Sequence, residues 1–371
     1  MKILFTGGGT GGHSFPLVAI IREIRNFYPK KDLEFFYIGQ QNEFGAILLS
    51  QEDVYVRIIA GGKIRRYFSF HNFIDILFKI PWSFLQSFYY LVRIDPQLVF
   101  SKGGSGSLPV TFCARIFKMP VFIHESDVIP GLSNRITSKW AKRIFTSFPG
   151  TEYFDLNKVC LTGNPIRSEI LSNGKEKARD LFNLTLEKPT FLFLGGSQGS
   201  EFINDFVLRI LNVLLRDFEI IHISGRENIK EVQAEAQVII DKDLKKYYHP
   251  YSFLDEDKLK NAYKAADFAV ARAGSGTIFE IAAVGLPSIL VPLPSAAANH
   301  QAKNAYVYAE TGAAIVMEQD NLTPNFFMEK IRHIFAGSES LEKMKKEALR
   351  FSKPLAAKAI ARNILEYLTT K

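Results

Sequence analysis

Short apolar runs bounded by glycine, proline or polar turns recur through the first half of the chain, at residues 2–6, 33–38, 97–100, 119–123 and 144–147. Segments of helix length with an apolar face lie between several of them. Such alternation predicts a parallel sheet, because only a crossover can carry the chain back to start the next strand in the same direction. The pattern restarts at Thr190-Phe191-Leu192-Phe193-Leu194 and continues through 219–223, 267–271 and 288–293. The chain therefore reads as α/β, with two domains of one architecture. A strand ending at the turn Gly163-Asn164-Pro165 marks the boundary, giving residues 1–164 and 165–353. A last helix, Leu355 to Leu368, follows Lys353-Pro354 and has an apolar face for either domain.

With 371 residues the chain has room for two cores, and 47% hydrophobic against 23% charged residues excludes a disordered or coiled-coil protein. The net charge is +8, and residues 1–164, with 19 basic and 12 acidic side chains, carry +7 of it. Cys113 and Cys160 make no CxxC and no Cys/His cluster, so no disulfide framework or zinc site is predicted and a reducing cytoplasm fits. Met1-Lys2-Ile3-Leu4-Phe5-Thr6 is too short an apolar run for a signal peptide and reads as the first strand. The best apolar stretch, 76–94, is cut by Lys79, Pro81, Gln86 and Arg93, so no spanning helix is expected.

The two halves open alike, with Phe5-Thr6-Gly7-Gly8-Gly9-Thr10-Gly11-Gly12 in one and Phe193-Leu194-Gly195-Gly196-Ser197-Gln198-Gly199-Ser200 in the other. A glycine turn from strand to helix brings backbone N–H groups and the positive end of a helix dipole to a ligand, which suits a diphosphate. Gly7, Gly9 and Gly12 satisfy G-x-G-x-x-G, but a dinucleotide site also needs an acid closing the second strand, and that strand ends Tyr37-Ile38-Gly39-Gln40-Gln41. A nicotinamide oxidoreductase loses its support there, and no Gly-Lys-Ser/Thr follows any loop to make a phosphate-binding loop of the nucleotide-hydrolase kind.

A third cluster, Ser101-Lys102-Gly103-Gly104-Ser105-Gly106-Ser107, opens on the same sheet edge as the first. His13 begins the helix after the first loop, where a dipole favours the neutral, proton-accepting imidazole; it is either a general base or a helix-start residue bonded to a carbonyl. Glu125, ending the strand Val121-Phe122-Ile123-His124, is placed to orient an imidazole, bind sugar hydroxyls, take a proton, or pair with a nearby cation. Arg167 is in reach of a phosphate if the boundary lines a cleft, and otherwise is a surface arginine. Glu280, one turn into the helix after Ala273-Gly274-Ser275-Gly276-Thr277, either grips two ribose hydroxyls or serves the helix dipole. Asn299-His300-Gln301 opens the next helix at the same edge.

The segment 63–93 carries two apolar stripes, one through Phe73, Leu77, Ile80, Phe84, Phe88 and Leu91, the other through Ile74, Phe78, Trp82, Leu85, Tyr89 and Val92. A helix needs one for its own core. With Lys63, Arg65, Arg66, Lys79 and Arg93 against a single acid, Asp75, the surplus stripe suits an anionic membrane surface, or a helix buried on both sides. The aromatics lie in one segment with no nucleic-acid-binding module in view, so nucleic acid is not the expected partner.

Taken in order, Gly7-Gly8-Gly9-Thr10-Gly11-Gly12-His13, His124-Glu125, Gly163-Asn164-Pro165-Ile166-Arg167, Gly195-Gly196-Ser197-Gln198-Gly199, and Ala273-Gly274 with Glu280 and His300-Gln301 resemble the MurG family of glycosyltransferases. The resemblance implies a GT-B fold: two Rossmann-like domains facing a central cleft, with a helix from residues 354–371 returning to the N-terminal domain. It implies inverting transfer of N-acetylglucosamine from UDP-GlcNAc to lipid I, the undecaprenyl-pyrophosphoryl-MurNAc-peptide, with no cofactor and no metal at the reaction centre. His13 and Glu125 would be catalytic. Thr10, Gly11, Gly12, Asp127, Arg167, Ser197, Leu254, Ser275, Gly276, Thr277, Ile278, Phe279, Glu280 and Gln301 would contact the donor, and Gly103, Gly104 and Ser105 the acceptor. Arg65, Arg66, Phe78, Lys79, Trp82 and Leu85 would dock the enzyme on the cytoplasmic face of a bacterial plasma membrane. The family's His-Glu-Gln-Asn is here His124-Glu125-Ser126-Asp127, which puts a carboxylate where an amide would meet the sugar. A transferase for another lipid acceptor, such as diacylglycerol, and a non-catalytic UDP-sugar-binding membrane protein are the alternatives.

Overall fold

The structure, a computed structural model, describes residues 1–8, 11–30, 32–41, 43–61, 78–150, 153–166, 174–196 and 199–370. The chain divides into two units, Met1–Arg167 together with Lys353–Lys371, and Ser168–Ser352. Among the described residues the first unit holds one seven-stranded parallel sheet, of β1 (Lys2–Gly7), β2 (Glu34–Gln40), β3 (Val54–Ile59), β4 (Leu98–Ser101), β5 (Val121–Glu125), β6 (Arg143–Thr146) and β7 (Val159–Leu161). Their order is β3-β2-β1-β4-β5-β6-β7. The chain winds outward from β1 to β3, then restarts at β4 on the other side of β1. The direction of winding thus reverses between β1 and β4, where an open parallel sheet leaves a crevice at its carboxyl edge.

The inner strands are unbroken apolar runs because both sheet faces are covered. Ile3 and Phe5 of β1 pack with Leu17, Ile20 and Ile24 of the helix Gly11–Phe27 and with Ile360 and Ile364 of the C-terminal helix Ala356–Thr369. Leu4, pointing the other way, joins Val99, Ile123, Leu91 and Val110. The period of two along a strand therefore feeds two cores.

The second unit repeats the plan with a six-stranded parallel sheet of β8 (Thr190–Leu194), β9 (Glu219–Ile223), β10 (Tyr248–Tyr251), β11 (Phe268–Ala271), β12 (Ser288–Leu290) and β13 (Ala314–Val316), in the order β10-β9-β8-β11-β12-β13. Its reversal falls between β8 and β11. Phe191 and Phe193 pack with Val207, Leu211 and Leu214 of the helix Glu201–Asp217, while Leu192 and Leu194 meet Ala262, Tyr263 and Ile281 on the other face. Among the described residues no helix is long and apolar enough to cross a membrane.

Candidate active site

Both glycine loops that follow β1 and β4 open at the first reversal point. The backbone N–H of Lys102 donates to the Thr6 carbonyl at 2.8 Å, carrying the strand pairing into the loop. Gly104 has φ +88°, and a Cβ there would stand 2.5 Å from the Gly8 Cα, so the loops meet backbone against backbone where only glycine fits. The Gly104 carbonyl accepts from the Ser107 and Ser133 hydroxyls, both at 2.8 Å, and the Ser105 hydroxyl donates to Gln40 Oε1 at 2.9 Å. Gly103, Gly104 and Ser105 thus form a braced rim.

His13 lies in the first turn of its helix with its ring against Gly8 and Gly104. Burial, and then the charge of Lys102, hold its pKa down at about 4, against the raising influence of Asp127. Its Nδ1 is buried and finds no hydrogen-bond partner among the described residues. A neutral imidazole with an unused ring nitrogen at a sheet edge is a proton acceptor.

Behind it lies a buried polar cluster. The Lys102 ammonium donates to His124 Nδ1 at 2.8 Å and to the Ser126 hydroxyl. His124 must then carry its proton on Nε2, which donates to the Gly163 carbonyl at 3.1 Å. Burial and the Lys102 charge keep this imidazole neutral, its pKa well below the ordinary value. Glu125 accepts from three N–H groups: Asp127 N at 3.0 Å to Oε1, and Gly131 N at 3.1 Å and Asn134 Nδ2 at 2.9 Å to Oε2. These bonds wrap the 126–131 loop around the carboxylate, which burial and the neighbouring Asp127 push up in pKa. The sequence reading did not foresee this loop-holding contact: among the described residues both Glu125 oxygens already accept from the 126–131 loop and Asn134.

At the second reversal point the helix Ser275–Ala283 follows β11. Gly276, Thr277 and Glu280 are partly exposed, whereas Ile278 and Phe279, like Leu254, lie in the core and offer a ligand only their backbone. The Tyr263 hydroxyl donates to Glu280 Oε2 at 2.9 Å, fixing one oxygen of that carboxylate. Gln301 Oε1 accepts from Leu293 N at 3.0 Å and holds the preceding loop. Arg272, unremarked in the sequence, is a buried brace: its Nη1 donates to the Val291 and Pro292 carbonyls at 3.2 Å each, and its Nη2 to Ser200 Oγ at 2.7 Å and Gln319 Oε1 at 3.1 Å. It ties together the loops that follow β8, β11, β12 and β13.

The helix Ile80–Ile94 turns its bulk outward. Its buried face is Ser83, Ser87, Leu91 and Ile94, with Ser83 and Ser87 bonded back to the Ile80 and Ser83 carbonyls. Trp82 (57% exposed), Leu85 (62%), Tyr89 and Val92 face solvent, continued by Phe78 and by Phe112 and Ile116 of the helix Ser107–Ile116. The described part of the second stripe is thus a free apolar face, beside the exposed Lys79 and Arg93. Thr10, Arg65, Arg66, Arg167 and Ser197 lie outside the described residues, as do the side-chain surroundings of Gly11 and Gly12. Among the described residues no three His, Cys, Asp or Glu side chains gather as metal ligands do.

Two parallel α/β units of this plan are the architecture on which GT-B glycosyltransferases are built. Residues 3–146 match the glycosyltransferase family 28 N-terminal domain, and residues 190–360 the glycosyltransferase family 28 C-terminal domain. The chain is 33% identical over 352 residues, 94% of this chain and 96% of that one, to the UDP-N-acetylglucosamine–N-acetylmuramyl-(pentapeptide) pyrophosphoryl-undecaprenol N-acetylglucosamine transferase of Clostridium kluyveri. It is 32% identical to the protein of the same name from Treponema denticola, covering 100% of this chain and 98% of that one. The crystal structure of Acinetobacter baumannii MurG superposes with a TM-score of 0.75 at 24% identity, over 98% of this chain and 99% of that one. The chain belongs to glycosyltransferase family 28, with the N-acetylglucosaminyltransferases known as MurG.

Proposed function

We propose that this enzyme transfers N-acetylglucosamine from UDP-GlcNAc to the 4-hydroxyl of MurNAc in lipid I, with inversion, releasing UDP and lipid II on the way to peptidoglycan. The observation that carries this reading is relatedness at 33% identity through 94% of the chain to a transferase so named. The loop chemistry at both reversal points supports it.

In this reading the C-terminal unit holds the donor. Glu280, steadied by Tyr263, takes the ribose, and Gln301, the start of the helix Ser275–Ala283, Thr10, Gly11, Gly12 and Ser197 are the further donor contacts of this reading. The acceptor rests on Gly103, Gly104 and Ser105. Its 4-oxygen bonds to the anomeric carbon as the bond from that carbon to the diphosphate oxygen breaks, and His13 takes the hydroxyl proton. Asp127, the carboxylate that favours a protonated His13, steadies the imidazolium as it forms. Negative charge grows on the departing diphosphate, where loop amides and Arg167 stabilise it; losing one such donor typically costs ~3–4 kcal/mol of barrier. The apolar face of the helix Ile80–Ile94, with Lys79 and the Arg65 and Arg66 segment, seats the N-terminal unit on an anionic cytoplasmic membrane surface, where lipid I resides.

The test is UDP release by the purified protein with detergent-solubilised lipid I, comparing UDP-GlcNAc, UDP-glucose and UDP-GalNAc. Acceptor-dependent release with UDP-GlcNAc alone is expected, with Asp127 tolerated beside the acetamido group. Release with another donor, or only with a different lipid such as diacylglycerol, would move the activity to another transferase.

A further inference from the structure

Lys102 is one of the largest fully buried side chains, and among the described residues no salt bridge holds it. A buried ammonium is costly unless the fold uses its charge. Its two hydrogen bonds go to neutral acceptors, His124 Nδ1 and the Ser126 hydroxyl, and its field is felt by His13, Glu125 and Asp127. We propose that Lys102 is a positioning residue for the transfer, whose ammonium sets the His124 tautomer and acts as the counter-charge to Asp127 in the field around His13.

The proposal rests on the functional reading above for its kinetics, but not for its electrostatics. With Nδ1 of His124 forced to accept, Nε2–H is directed to the Gly163 carbonyl, which also accepts from Thr162 Oγ1 at 3.2 Å. One proton orientation thereby couples the loop after β4 to the glycine with φ +86° that follows β7 and leads toward Arg167. On the other side, His13 and Lys102 flank Gly7, their Cβ atoms 3.5 and 3.6 Å from where a Cβ on that glycine would stand; there Lys102 disfavours and Asp127 favours a proton on His13, so the pair sets how readily the base takes one. Among the described residues, His13, Lys102, His124, Glu125 and Asp127 are the titratable groups whose charges act on one another here.

The experiment compares Lys102→Met, Asp127→Asn and the double variant in the full-length protein. Read-outs are kcat and KM for UDP-GlcNAc across pH, and the His13 titration by histidine-selective NMR without substrate. Lys102→Met is expected to lower kcat about tenfold or more with little change in donor KM, and to move the acid limb and the His13 titration to higher pH. Asp127→Asn moves that titration to lower pH, and the double variant returns it toward the wild type, as two opposite charges acting on one imidazole require. A folded Lys102→Met with wild-type titration and pH profile, or a double variant whose His13 titration stays where Lys102→Met puts it, overturns the proposal. Should Lys102→Met not fold, a His13 titration in Asp127→Asn that stays put or moves upward overturns it equally. Absent turnover in the wild type would count against the functional reading alone, while the NMR titrations still decide the role of Lys102.

Discussion

Replacing Glu125 by glutamine separates two roles that a carboxylate at this edge can play. The side chain accepts from Asp127 N, Gly131 N and Asn134 Nδ2 at 3.0, 3.1 and 2.9 Å. Glutamine keeps one acceptor oxygen. In its better orientation that oxygen retains Gly131 N and Asn134 Nδ2, while the new NH2 group confronts the Asp127 N–H. One orphaned buried donor costs ~1–3 kcal/mol, and two charge-assisted bonds reduced to neutral ones cost about 1 kcal/mol each. Relief from burying a charge offsets part of this. The net is about 2–4 kcal/mol, which for a unit of this size lowers its Tm by roughly 4–16 °C. Calorimetric unfolding of Glu125→Gln, read beside the pH dependence of kcat, is the assay. The expected result is a lowered N-terminal transition, reduced turnover from a loosened 126–131 loop, and an acid limb still set by His13. Unchanged stability with collapsed turnover and a lost pH limb would make Glu125 the base and refute this reasoning.

His13→Ala should lower kcat by about 10²–10⁴ while calorimetry finds UDP affinity unchanged, since a general base contributes that much; unaltered turnover would remove His13 from the mechanism. Stability should fall with acid. His13 and His222 titrate at about 4 and about 3 in the fold against 6.5 unfolded, so below pH 6.5 the unfolded chain binds protons that the fold refuses. Their stabilising contribution is whole above pH 6.5 and is lost as pH falls toward the folded values, at up to ~1.4 kcal/mol per pH unit for each. Urea midpoints that do not drop between pH 7 and pH 5 would contradict this. Changing Trp82 and Leu85 to serine should cut binding to anionic vesicles at least about tenfold, because each buried side chain contributes ~1.5–3 kcal/mol. Equal sedimentation with the vesicles would mean that this face does not meet the membrane.

How far the sequence reveals this molecule depends on how local each signal is. The central strands β1, β4, β5, β8 and β11 stand out because burial on both faces makes them unbroken apolar runs. The strands it leaves unremarked, β3, β10 and β13, are all outermost in their sheets. In β3, Tyr55, Arg57 and Ile58 are exposed, and β10 contains Pro250, which an edge tolerates and an inner strand does not. The glycine loops and His13 are legible because strand, turn and helix are contiguous. Lys102 is not: a cation among glycines reads as solvated, and its burial depends on His124 and Ser126, brought over from the next strand. Glu125 is visible as a site residue, yet its donors at 127, 131 and 134 come from a loop wrap that no spacing rule announces. Arg272 is hidden for the same reason, since its partners follow three other strands. Along 78–94 two apolar stripes are plain in the sequence, and only packing decides that the face with two serines is the buried one.

The most direct test of the central claim is the linkage of the sugar transferred. UDP-GlcNAc carries its sugar in the α configuration, so the account predicts that NMR of the product from lipid I and UDP-GlcNAc shows one β-linked N-acetylglucosamine on the 4-oxygen of MurNAc, with one UDP released per sugar transferred. An α linkage, attachment at another oxygen, or free N-acetylglucosamine formed in step with UDP would contradict it.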